Sequence, residues 1–154
     1  MTTRRQPHPN GEEKPCVFCR IASGEAAAEI VFENELSIAF LDSRPLFSGH
    51  CLLITKAHYE TFVDLPSDVV GPIFLNAQRL AVAVKASMDA EGTFVAINST
   101  VSQSVPHFHI HIVPRRRKDG LRGFFWPRKT YACADEARSV RAALSAQLNA
   151  GSFT

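Results

Sequence analysis

The segment His107-Phe108-His109-Ile110-His111-Ile112-Val113 alternates imidazole and apolar side chains, and this alternation constrains the fold more than any other stretch of the chain. A β-strand sends successive side chains to opposite faces, so residues two apart share a face. Read as a strand, the segment directs Phe108, Ile110 and Ile112 into a core and aligns three imidazoles on the other side. Same-face neighbours on a strand are roughly 6.6–7 Å apart, close enough for one phosphate-sized group to touch more than one ring. Three of the chain's six histidines fall within residues 107–111. Histidine is a poor choice for a face that needs only to be solvated, so the pattern points to chemistry.

The remaining elements follow from periodicity. Ile30 to Glu33 and Ser37 to Leu41 read as short strands separated by the turn-like Glu33-Asn34-Glu35. Asp42-Ser43-Arg44-Pro45 and Ser48-Gly49 form a loop, and the apolar run Cys51-Leu52-Leu53-Ile54-Thr55 is a buried third strand. Pro66-Ser67-Asp68 supplies a capped helix start. Val69, Val70, Ile73, Phe74, Ala77, Leu80, Ala81 and Val84 then recur at helical spacing up to Met88. Thr93 to Asn98 and His107 to Val113 complete five strands across a polar Ser99-Thr100-Val101-Ser102 loop. A last amphipathic helix, Asp135 to Leu148, carries Ala137, Val140, Leu144 and Leu148 on one side. Strand runs interrupted by one long helix predict an α+β domain: a five-stranded antiparallel sheet with that helix and a C-terminal helix. The expected organisation is a flexible tail over residues 1–14 and one domain over 15–154, divided into a core at 15–115 and an extension at 116–154.

A chain of 154 residues is long enough to bury a core without disulfide staples. A net charge of +2 gives no strong case for a nucleic-acid partner, although Arg115, Arg116, Arg117 and Lys118 form a basic run. No apolar stretch is long enough to cross a bilayer, and residues 1–14 lack the apolar core of a secretory signal. The expectation is a cytoplasmic protein with reduced cysteines. Cys16-Val17-Phe18-Cys19 is then a metal or redox pair rather than half of a disulfide framework. Cys51, in an apolar run, and Cys133, at a helix edge, are ordinary residues by position.

The string Gln103-Ser104-Val105-Pro106-His107-Phe108-His109-Ile110-His111-Ile112-Val113-Pro114-Arg115 resembles the signature of the histidine-triad (HIT) family of nucleotide hydrolases and transferases. The resemblance extends upstream through Ile30-Val31-Phe32-Glu33-Asn34-Glu35, Ala39-Phe40-Leu41-Asp42 and Gly49-His50-Cys51-Leu52-Leu53-Ile54-Thr55-Lys56-Ala57-His58, and so covers about residues 15 to 115. It implies the same α+β architecture, and a homodimer joined edge to edge through two such sheets.

The resemblance assigns His109 as nucleophile, attacking an α-phosphorus to give a covalent nucleotidyl-histidine intermediate. It implies that His111 and Ser104 bind phosphate oxygens and help the leaving group, with the amides around Gln103 and Ser104 as further donors. Asp42 matches the residue that accepts from the ribose hydroxyls, and Asn98 matches one beside sugar and phosphate. His50 is expected to support the catalytic face, while Phe18, Ile21 and Phe40 offer an apolar slot for a purine. Attack by His109 requires its other nitrogen to hold the proton against a fixed acceptor. Zinc-containing bacterial relatives complete the paired cysteines with two histidines, which here are His58 and His107. The implied cofactor is one structural zinc per chain on Cys16, Cys19, His58 and His107. Trp126-Pro127 is similar to a segment that, in the Hint branch, approaches the partner subunit's nucleotide site.

The implied function is cleavage at the α-phosphate of a purine nucleotide, of the nucleoside phosphoramidase kind. A diadenosine polyphosphate hydrolase or phosphorylase is the alternative within the family. Outside it stand a non-catalytic nucleotide-binding or zinc-organised module, and a metal oxygenase or cupin. The last needs a further carboxylate or histidine ligand, and the Gln-Ser-x-x-His context argues against it. Two departures from the family pattern bear on substrate preference. Ser99-Thr100-Val101-Ser102 replaces a loop that often carries glycines, and Pro106 removes one backbone donor before the triad.

Overall fold

A computed structural model describes residues 16–121 and 130–150, and the chain divides into two compact units at the Arg117–Lys118 junction. The first contains α1 (Val17–Ala22), β1 (Ile30–Glu33), β2 (Ser37–Leu41), β3 (Cys51–Thr55), a short 3-10 turn (Phe62–Asp64), α2 (Ser67–Ser87), β4 (Gly92–Ala96) and β5 (His109–Arg115). The second contains α3 (Ala134–Ala150). The strands form one antiparallel sheet in the order β1-β2-β3-β5-β4. The five strands, the long helix and the C-terminal helix all form as expected. The Trp126-Pro127 segment lies outside the described residues.

Two of the three inner strands, β2 up to Phe40 and β3, are buried on both faces, and for that reason they read as continuous apolar runs. Alternation divides them between two cores. Ala39, Leu53, Phe108, Ile110 and Ile112 face Ile73, Ala77, Leu80 and Val84 of α2. Ile38, Phe40, Leu52 and Ile54 face Phe18 and Ile21 of α1. The register then places His109 beside Ile54 and His111 beside Leu52, so the imidazole face shares the α1 side of the sheet. That face is not the solvated one. His107 is 0% and His109 3% exposed.

Two strand boundaries and one helix cap differ from expectation. The histidine strand begins at His109 rather than His107, because the His107 N–H turns back to the Val105 carbonyl at 2.8 Å and the Phe108 N–H bonds the Tyr59 carbonyl at 2.6 Å. β4 stops at Ala96, which leaves Asn98 just past its end. Helix α2 is capped by Pro66 with no side-chain cap, and Asp68 sits in its first turn, where a carboxylate favours the helix dipole. The β1–β2 turn follows the sequence more directly: Asn34 Oδ1 accepts from the Leu36 and Ser37 amides at 3.1 and 2.8 Å. Buried Asn76, within the apolar stripe of α2, is satisfied by donating to Ser37 Oγ at 3.0 Å. α3 has no buried residues, so its Val140, Leu144 and Leu148 stripe is exposed.

Gly49, immediately before His50, has φ +90, and a Cβ there would approach Met88 Cγ to 2.5 Å. Gly49→Ala is expected to lose about 1–2 kcal/mol from the left-handed backbone alone, before Met88 is displaced. Denaturant unfolding of the variant beside wild type checks this; an unchanged midpoint would refute it.

Candidate active site and metal centre

Two histidine clusters share one face of the sheet, and they meet at His107. In the first, Cys16 at the start of α1, Cys19 within it, His58 after β3 and His107 before β5 bring four possible ligand atoms within 4.8 Å of one another. Cys16 Sγ and Cys19 Sγ lie 3.4 and 3.5 Å from His107 Nδ1, and Cys19 Sγ lies 3.2 Å from His58 Nδ1. These four residues could hold a metal ion. The donor set fits one, because His107 Nε2–H donates to the Thr55 carbonyl at 2.8 Å and so leaves Nδ1 as a lone pair facing the sulfurs. A ligand histidine is commonly oriented by such a bond from its second nitrogen. Burial, foremost, holds the His107 pKa at about 4, so the ring is neutral as a ligand must be.

The second cluster begins from the same residue. The His107 carbonyl accepts the Nδ1–H of His109 at 2.7 Å, so in the neutral ring the lone pair of His109 sits on Nε2. Gln103 braces the segment: its Nε2 donates to the Glu60 carbonyl at 2.6 Å and reaches the His107 carbonyl at 3.5 Å, while its Oε1 accepts from the Thr100 amide at 2.7 Å. The Phe18 ring stands edge-on to His109, with centroids 5.3 Å apart.

His111 is oriented by a relay. The Leu46 N–H donates to His50 Nδ1 at 3.2 Å, and His50 Nε2 lies 3.0 Å from His111 Nδ1. With Nδ1 occupied as an acceptor, His50 carries its proton on Nε2 and donates it to His111. His111 therefore keeps its own proton on Nε2. Asp42 Oδ2 lies 3.6 Å from His50 Nδ1, which would suit a charged imidazolium instead. That distance is beyond hydrogen-bond reach, and burial lowers the His50 pKa more than Asp42 raises it, so the neutral assignment holds. Burial likewise brings His111 to about 4, helped by neighbouring His109 and His50 and opposed by Asp42.

Asp42, His50 and His111 also come within metal-ligand range of one another. The His50 and His111 centroids are 5.2 Å apart, close to the largest separation a 3.0 Å nitrogen contact allows. The two nitrogens thus meet head-on, the geometry of a hydrogen bond rather than of two lone pairs converging on an ion.

Asp42 is partly exposed, and its Oδ1 accepts from the Arg44 amide at 2.8 Å, closing a turn that leaves further lone pairs available. Ser104 is exposed on the loop before the triad, and Asn98 is half-buried beyond β4. Phe18, Ile21 and Phe40 are buried and packed together, the Phe18 and Phe40 rings 5.5 Å apart. In the same loop Thr100 and Ser102 take φ of 65 and 60, the left-handed conformation that glycine adopts most readily. The basic run is locally matched: Arg116 pairs with Asp89 and Arg117 with Glu91. Cys51 is buried and Cys133 exposed. A cleft of about 600 Å³ lined by Asn34, Leu36, Leu75 and Arg79 lies against α2, away from every histidine named above. The groups that sequence reasoning missed are backbone ones: the Thr55 and Tyr59 carbonyls and the Leu46 amide, which carry no side-chain signature.

Comparison with known proteins decides the family: the HIT domain matches residues 23–118. The chain belongs to the HIT family. An uncharacterized HIT-like protein of Saccharolobus solfataricus is 35% identical over 117 residues, 74% of this chain and 84% of that one. The adenosine 5'-monophosphoramidase of Saccharomyces cerevisiae is 33% identical over 122 residues, 79% of this chain and 76% of its own. A zinc-bound histidine triad family protein from Mycobacterium smegmatis superposes with TM-score 0.66 at 36% identity, covering 89% of this chain and 98% of its own. Among the described residues of this HIT protein, no helix is long and apolar enough to cross a membrane.

Two measurements check the proton assignments. Long-range ¹⁵N–¹H spectra at pH 7 should show His109 as the Nδ1–H tautomer and His50 and His111 as Nε2–H; His109 protonated on Nε2 would refute the scheme. The unfolded chain binds a proton on His111 near the ordinary pKa of about 6.5, and the folded chain only near about 4. This residue therefore subtracts stability progressively as pH falls from about 6.5 toward about 4, and the melting temperature should fall across that window. His111→Asn should flatten the slope.

Proposed function

We propose that this protein hydrolyses or transfers purine nucleotides by two displacements at the α-phosphorus, with His109 as nucleophile and a phosphoramidate as the preferred substrate. The observation that carries this is the 2.7 Å bond from His109 Nδ1–H to the His107 carbonyl, which holds the opposite nitrogen as a lone pair. Attack by Nε2 breaks the bond to the leaving group and forms a nucleotidyl-histidine whose positive charge remains shared with the His107 carbonyl. His111, neutral and donor-only toward the site through Nε2, stabilises a non-bridging phosphate oxygen. Ser104 and the amides around Gln103 add donors there and assist the departing group. Water then attacks the intermediate and regenerates His109. Asp42 accepts from the ribose hydroxyls, Asn98 lies beside sugar and phosphate, and His50 fixes His111. The yeast relative's activity as a monophosphoramidase favours a P–N bond.

The metal we assign to Cys16, Cys19, His58 and His107 is zinc. Two thiolates and two imidazoles suit it, and a zinc-bound neighbour shares the fold. Zinc in a four-ligand site supplies a structural crosslink, and no step of the reaction passes through it. The protein is also proposed to be a cytoplasmic homodimer. β4 is an edge strand, with exposed Val95 on it and exposed Phe74, Leu75 and Val82 on α2.

Five experiments test these assignments. His109→Ala should abolish turnover while retaining nucleotide binding, whereas His111→Ala should slow it roughly 10²–10³-fold. Wild type quenched while turning over a substrate labelled at the α-phosphate should carry an acid-labile label that His109→Ala lacks. Near-normal turnover by that variant would place the nucleophile elsewhere, and an inactive wild type would favour a binding module. A panel of adenosine phosphoramidate, adenylyl-lysine and diadenosine tetraphosphate, with and without phosphate, separates phosphoramidase from polyphosphate hydrolase and phosphorylase. Purified protein should contain about one zinc per chain, lost with thermal stability in the Cys16→Ser, Cys19→Ser protein. Unchanged melting of that variant and metal-free wild type would refute zinc. Light scattering should give a dimer that Val95→Lys dissociates; a monomeric wild type would refute the assembly.

A further inference from the structure

We propose that Cys16 and Cys19 are a peroxide-sensitive thiol pair, whose oxidation to a disulfide releases the bound metal and frees α1 from the nucleophile. The inference rests on the metal assignment above. Both thiols are half-buried rather than enclosed, unlike Cys51. Their sulfurs belong to a cluster whose ligand atoms all lie within 4.8 Å of one another, and residues three apart at a helix start can bridge without large backbone movement. Metal-bound cysteines are thiolates, the form that reacts with peroxides.

The chemistry is self-contained once a peroxide is supplied. One thiolate attacks a peroxide oxygen, the O–O bond breaks, and hydroxide leaves as the sulfur becomes a sulfenic acid. The second thiolate attacks that sulfur, the S–O bond breaks, and a second hydroxide leaves as the disulfide forms. The two sulfurs lose two electrons together and the peroxide gains them. The cation, left without thiolate ligands, dissociates.

The consequence for the site follows from α1. It has only six residues and no side-chain cap, too short to persist in isolation. What holds it are the buried side chains of Phe18 and Ile21 and the two sulfurs beside His58 and His107. A disulfide ties α1 to itself and ends its tie to the two histidines. Phe18, whose ring abuts His107 at 5.9 Å and His109 at 5.3 Å, is carried on the helix that is loosened. His107, whose carbonyl fixes His109, loses the ligand contacts of its ring.

The test uses metal-loaded Cys133→Ser protein, which removes the exposed thiol, and treats it with hydrogen peroxide. Metal release is followed with a chromogenic chelator, thiols by trapping and mass spectrometry, and α1 by amide hydrogen exchange. The expected result is one metal ion released per Cys16–Cys19 disulfide, with Cys51 still reduced. Exchange over Val17–Ala22 should accelerate roughly tenfold or more, and dithiothreitol with zinc should reverse all three changes. Reduced protein that holds no metal overturns the metal assignment and this inference together. Metal retained after the disulfide forms, metal lost while both thiols stay free, thiols that survive a large excess of peroxide, or unchanged exchange overturns this inference alone.

Discussion

The bond from His107 Nε2–H to the Thr55 carbonyl anchors both clusters. His107 is wholly buried, so each of its polar atoms needs a partner inside the protein. Thr55 takes one ring proton, and this turns the other ring nitrogen toward Cys16 and Cys19. It also fixes the peptide unit that follows, whose carbonyl accepts from His109. One side chain thus orients the candidate metal ligands and, through its own backbone, sets which nitrogen of the next histidine carries the proton in the neutral ring. Losing the Thr55 contact would disturb both, because a buried ring without its acceptor has no low-cost orientation.

Burial favours the neutral form of His50, His107 and His111. Three histidines in water near pH 6.5 would charge in part and repel one another. Here α1 covers His107 and His109, and the loop before β3 encloses His50. Burial lowers the pKa of His50, His107 and His111, and leaves each ring with one donor and one acceptor. Hydrogen bonds to backbone groups and between rings can then dictate direction. A backbone amide at Leu46 determines, two rings away, which nitrogen of His111 carries a proton.

Much of this architecture was legible in the sequence where side-chain pattern carries the information. Ile30–Glu33, Ser37–Leu41 and Cys51–Thr55 form the strands that their apolar runs predict, and the long helix follows its 3.6-residue stripe. The paired cysteines and the alternating histidines stood out by residue type, whereas His58 and His107 as partners of the cysteines were implied by the family resemblance. Less visible were features set by main-chain geometry. Helix α1 has too few residues for a period, and its burial of Phe18 and Ile21 depends on partners far along the chain. The start of β5 at His109 depends on where Phe108 finds an acceptor, namely Tyr59. Thr100 and Ser102 in left-handed conformations contradict their local preference, and only the surrounding contacts, including the Gln103 bond, impose them.

The pairing of Cys16 with His107 closes a loop between residues 91 apart in sequence. In chain-entropy terms a crosslink of that reach removes about 4–5 kcal/mol of freedom from the unfolded ensemble. It cannot form early: β3 and β5 must pair before Thr55 can orient His107, and α1 must then dock across them. An ion held there would gain its full set of four ligands only once these elements have docked. Such late interactions slow unfolding far more than they hasten folding. A metal held at these four residues would then act as a brake on opening, so the chain's lifetime in the native state would depend on cation supply even where its folding rate did not.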